Sequence, residues 1–171
     1  LRMMQELWLI EATRNNVLPL NNSQLPVLTA LRPGPAAGRT HFVYTAPMMS
    51  TQFAAAPSII NRSYKITAEF EVPANGANGI LVTQGGRFSG YGLYLKDGKP
   101  TFTMNLLDIE RPKWQSPDAL KPGKHTVVFE WKMDAQGPAL SRGGTGTLTV
   151  DGKSVAQKTL PHTQPVIFAW D

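Results

Sequence analysis

Glu69 and Glu71 stand two apart in SYKITAEFEV, a spacing that turns both carboxylates to one side of a β-strand, because successive strand side chains point to opposite faces. Sandwich-type glycosidases use paired carboxylates of this kind, one as acid and one as nucleophile. Those enzymes add a third acidic position between or beside the pair, whereas here Phe70 intervenes and Val72-Pro73 follows. With Lys65 flanking them, the two glutamates read as a solvated strand surface. Arg87 follows Gly85-Gly86, glycines that let the backbone approach another group closely. Its guanidinium can grip a sulfate or carboxylate bidentately, or it can bridge loop carbonyls or a neighbouring acid and serve the loop alone. Trp114, Tyr91, Tyr94 and Trp131 are the aromatics able to stack on the apolar CH face of a sugar. Trp131 is in phase with Val127 and Phe129 in HTVVFEWKM and is expected in the core. Trp114 falls in the polar, proline-punctuated stretch Asp108 to Gly123, expected to be a loop, and is the better contact candidate. His41, His125 and His162 show no short ligand spacing, so no metal site is expected from them.

The chain has 171 residues and no cysteine. That length suits one domain burying roughly two-thirds of its unfolded surface. The missing thiols exclude a disulfide framework, a thiolate zinc site and a cysteine nucleophile, and leave the compartment open. The formal charge is +5, yet Lys and Arg are scattered singly with no run of four. A phosphate-tracking surface needs clustered cations, so no nucleic-acid partner is expected. No stretch of about twenty apolar residues is present to span a membrane.

The elements that must position these residues are mostly short strands. Gly79 to Leu107 (GILVTQGGRFSGYGLYLKDGKPTFTMNLL) reads as three successive strands, with Leu93 and Leu95 on one face, Tyr94 and Lys96 on the other, and Asp97-Gly98 as the second turn. Tyr64, Ile66, Ala68, Phe70 and Val72 alternate in Ser63 to Val72, as in a half-buried antiparallel strand. Arg39 to Thr45 (RTHFVYT) is expected to be a strand, and Ala46 to Pro57 a loop or short turn of helix. His125 to Met133 follows as a strand, then Thr145 to Val150, Asp151-Gly152 and Lys153 to Leu160 as a second Asp-Gly hairpin, and Pro165 to Trp170 as a last apolar run.

Leu1 to Asn16 carries the one helical period, with Leu1, Met4, Leu7 and Trp8 on a stripe and Asn15-Asn16 at its end. The first residues are not a methionine with a basic stretch, and a helix beginning inside its apolar stripe is expected to be a piece of a longer chain. Residues 16 to 38 hold four prolines and read as an extended crossover. Seven or eight short strands after a single helix predict an all-β antiparallel sandwich of jelly-roll or concanavalin A-like lectin type.

Several ordered segments resemble the C-terminal portion of large bacterial arylsulfatases: ELWLIEATRNNVLPL (Glu6 to Leu20), VPANGANGILVTQGGRFSGYGLYLKDGKPTFTMNLL (Val72 to Leu107), GKHTVVFEW, GGTGTLTVDGKSVA and PVIFAWD. The likeness covers nearly all the chain; MNLL stands where the family has a YNLL-like sequence. The resemblance implies residues 1–38 as a helix and crossover leaving a sulfatase catalytic domain, and residues 39–171 as a C-terminal sandwich packed on it.

Sulfatases hydrolyse sulfate esters with a formylglycine made in a C/S-x-P-x-R motif and a calcium ion. This chain has no cysteine, and the stretch around Ser116-Pro117 lacks an Arg at the required spacing. The implied catalytic residues and calcium therefore belong to the catalytic domain, and no catalytic or metal residue is assigned here. The expected partners are that domain and a glycan, with Arg87, Trp114 and Tyr91 as contact candidates. A carbohydrate-binding module is the alternative, and a free-standing glycosidase on Glu69 and Glu71 the third reading.

Overall fold

The computed structural model describes residues 1–20, 34–52, 55–137 and 141–165. The chain divides into two compact units, Leu1–Ala56 and Pro57–Asp171, each described by itself. Most of the expected crossover and nearly all of the last apolar run, Val166 to Trp170, lie outside the described residues.

In the first unit, α1 spans Arg2–Arg14. Its Leu, Met, Gln, Glu and Arg residues lose little rotamer freedom in a helix, and Arg2 and Glu6 pair one turn apart at 3.2 Å. The helix ends as expected at the two asparagines. Asn15 donates its side-chain amide to the Glu11 carbonyl at 2.9 Å, and Asn16 adopts φ 54°, a left-handed conformation that Asn tolerates better than most residues. Arg39 to Thr45 forms no strand. A strand exists through its ladder, and among the described residues this segment has none; instead the Arg39 guanidinium lies 4.7 Å from the centre of the Phe42 ring.

The second unit is an all-β sandwich. Its strands are β1 (Tyr64–Val72), β2 (Gly79–Gly85), β3 (Ser89–Lys96), β4 (Lys99–Leu106), β5 (Lys113–Gln115), β6 (Gly123–Met133), β7 (Gly144–Val150) and β8 (Lys153–Leu160). They make two four-stranded sheets, ordered β1-β6-β7-β8 and β2-β3-β4-β5, and each pairing is antiparallel. Both Asp-Gly turns have positive φ at both central residues: 53° and 71° at Asp97-Gly98, 48° and 81° at Asp151-Gly152. That geometry matches the twist of the flanking strands.

Alternation decides what each sheet puts inside. Leu93, Phe102, Met104 and Trp114 come from one sheet, Val127, Phe129, Trp131 and Leu148 from the other, and all are 0% exposed. The Phe102 and Phe129 rings stack across the gap with centroids 3.5 Å apart, and Trp114 meets Phe129 edge-on at 5.1 Å. Trp114 is thus not a loop residue. Lys113–Gln115 pairs with Thr101 to Thr103, with Trp114 opposite Phe102, so alternation turns the indole into the core. Gln164, buried beyond β8, donates from Nε2 to Ser89 Oγ at 2.6 Å and to the carbonyls of Gly90 and Asn105 at 3.2 Å, tying the segment after β8 to β3 and β4.

Candidate functional site

Glu69 and Glu71 lie exposed on β1, an edge strand of its sheet. Glu71 is the ladder partner of Lys124, and Lys65 that of Glu130. Opposite charges facing each other across strands stabilise a solvated sheet surface, and no pocket described in this structure includes either glutamate.

Tyr91 and Trp131 are buried with Trp114. Of the expected aromatic candidates, Tyr94 faces outward: it follows Leu93 and precedes Leu95, both of which point inward. Burial raises its hydroxyl pKa, keeping the phenol protonated.

Arg87 stands in the turn between β2 and β3, its side chain 73% exposed. Asn105 organises that turn together with the loop after β4. Its Nδ2 donates to the carbonyls of Gly86 (3.1 Å) and Arg87, and its Oδ1 accepts the Asp108 N–H at 3.1 Å. Asp108 then sits between Arg87 Nε, at 3.6 Å, and the Arg111 guanidinium. Arg87 therefore pairs with an acid, and the exposed Phe88, Leu107 and Ile109 lie in the same two loops.

A shallow trough lies beside that turn, on the outer face of β2, β3 and β4. The ladder pair Ile80–Tyr94 and two rows of ladder partners, Thr83–Gly92–Thr103 and Gly85–Gly90–Asn105, build it. Because β3 carries glycine at two successive outward positions, the side chains around them enclose a trough of about 230 Å³. Thr83 Oγ1 donates to the Tyr91 carbonyl at 2.9 Å and Thr103 Oγ1 to the Pro112 carbonyl at 3.2 Å. With their protons committed to backbone, both hydroxyls keep lone pairs for a further donor. No spacing rule finds this trough in the sequence, because its residues meet only through strand register.

The histidines are separate. His125 presents Nδ1 to Asp151 Oδ2 and Nε2 to the Lys121 carbonyl, each at 2.7 Å. These two bonds raise its pKa, the Asp151 bond contributing most. Asp151 also accepts the Thr126 N–H at 2.9 Å, the main cause of its lowered pKa, with His125 second. The group ties the β7–β8 turn to the start of β6. His162 contacts Glu110 at 3.1 Å.

Among the described residues no three His, Asp or Glu side chains come together to hold a metal ion. No helix of the described residues is long and apolar enough to cross a membrane. Comparison of the chain with models of protein families, with curated proteins and with solved structures finds no match.

Proposed function

We propose that this chain is a noncatalytic sandwich module, of jelly-roll or concanavalin A-like type, belonging to an arylsulfatase-type hydrolase, and that it packs on and supports the sulfatase catalytic domain. The reading draws its family from the ordered likeness of Glu6 to Leu20 and Val72 to Leu107. The observation that carries the docking role is α1. Met4, Leu7 and Trp8 are 72%, 60% and 48% exposed on one stripe, and exposed apolar surface of this extent marks a place where another surface lies. In this reading formylglycine and calcium belong to the catalytic domain, and the module supplies surface and support.

The test is hydrolysis of a chromogenic aryl sulfate by the full-length parent, by a version ending after Leu20, and by the present chain alone. The present chain is expected to be inert, and the truncated parent to lose activity while remaining folded. Hydrolysis by the chain alone overturns the noncatalytic reading, and full activity in the truncated parent overturns the supporting role. A second role, directing the hydrolase to sulfated glycans, draws on the trough over Gly92.

A further inference from the structure

Gly92 lies mid-strand, where glycine weakens a sheet and offers nothing to pack. Its neighbours show two different reasons for glycine on this face. A Cβ on Gly90 would stand 2.3 Å from the Gln84 carbonyl oxygen, and one on Gly85 would stand 2.2 Å from that of Ser89; both are demanded by the tight turn between β2 and β3. A Cβ on Gly92 would come no nearer than 3.7 Å to any other group, at Thr83 Oγ1 and Tyr94 Cδ1, which is ordinary contact. Its φ is not in the left-handed range. Nothing in the packing of the described residues requires glycine there, and what its bare backbone preserves is the open floor of the trough.

We propose that this trough is a binding site for one pyranose unit of an oligosaccharide. Its parts match the two faces of such a ring. Tyr94 and Ile80, the latter 70% exposed, give an apolar flank for ring CH groups. Thr83 and Thr103 flank Gly92 on its two sides and present acceptor lone pairs to sugar hydroxyls. Asn105, whose amide N–H groups bond the Gly86 and Arg87 carbonyls and whose Oδ1 accepts the Asp108 N–H, holds the end wall in place beside the Arg87 turn. At about 230 Å³ the space is below the roughly 300–1,000 Å³ of an enclosed ligand pocket, which suits one ring with the rest of the glycan running along the surface. The phenol, the pinned hydroxyls and the glycine floor favour a sugar over an extended peptide, which would seek the backbone groups at the β2 edge.

The site stands without the sulfatase reading. The experiment is a microarray of neutral and sulfated pyranose oligosaccharides probed with the fluorescently labelled full chain, followed by titration of the strongest binder. The unchanged chain is expected to retain a defined set of sugars, and Gly92→Val to weaken binding at least tenfold with an unchanged circular dichroism spectrum. Tyr94→Ala, which removes the flank without filling the floor, is a second variant expected to lose tenfold. Retention of neutral sugars assigns the trough to the ring alone; retention confined to sulfated sugars, reduced by Arg87→Ala, adds an anion at the end wall. Both outcomes support the site. No retained sugar, or binding that Gly92→Val and Tyr94→Ala leave unchanged, overturns it. So does self-association of the chain that Gly92→Val abolishes, because that assigns the trough to a second copy. None of these results bears on the aryl sulfate assay.

Discussion

Trp114 reaches across the sandwich and donates its indole N–H to the Gly146 carbonyl, at 2.8 Å. A Cβ on Gly146 would stand 2.7 Å from the Trp114 ring and 3.0 Å from Phe129. One residue on the short edge strand β5 and one glycine on β7 therefore share a single volume, and each has the identity the other leaves room for.

Substitution at either member is expected to be costly. Trp114→Ala should destabilise the chain by about 3–5 kcal/mol, as for other fully buried aromatic truncations, and Gly146→Ala by about 1–3 kcal/mol through overpacking. The double variant should cost less than the sum, because the alanine methyl enters space the indole has left. Urea denaturation measures all three, and strict additivity would show that the two residues do not share that volume.

The His125–Asp151 pair makes stability depend on pH in two directions. His125 has its pKa raised from 6.5, so its contribution is full below about 6.5 and disappears as pH rises through the folded value. Asp151 has its pKa lowered from 3.8, so its contribution is full above about 3.8 and fades as pH falls through the folded value. Their combined effect is largest from about pH 4 to 6.5 and declines toward alkaline pH. Melting curves from pH 5 to 8.5 should show Tm falling with pH more in the unchanged chain than in His125→Gln. Parallel curves would remove the imidazolium from the account.

The α1 stripe separates docking from folding. Met4→Ser, Leu7→Ser and Trp8→Ser remove side chains that are exposed in this structure, so together they should leave urea unfolding of the isolated chain unchanged to within about 0.5 kcal/mol per site. On the proposed arylsulfatase reading, the same changes in the parent hydrolase should shorten the half-life of its aryl sulfatase activity at elevated temperature severalfold, because each would strip apolar surface from the docking contact. An unaltered half-life would mean that the stripe faces solvent in the parent as well.

The amino-acid sequence by itself determined the parts of this protein governed by neighbours in the chain. The alternation of Tyr64 to Val72 and of His125 to Met133, the two Asp-Gly turns, and the helix ending at Asn15-Asn16 are set by side-chain direction, left-handed tolerance and capping, all within a few residues. The all-β sandwich follows from their sum. Register across strands, which only the tertiary structure decided, placed the rest. Trp114 lies in three residues of strand, too few to show a period, and pairing with Thr101 to Thr103 drew it from a polar stretch into the core. Arg39 to Thr45 has strand-forming residues but, among the described residues, no ladder partner. The trough over Gly92 is made by residues of three strands brought level by the β2–β3 and β3–β4 registers. Its chemistry lies in the side chains that surround a position with none, and a chain read residue by residue has no period that points there.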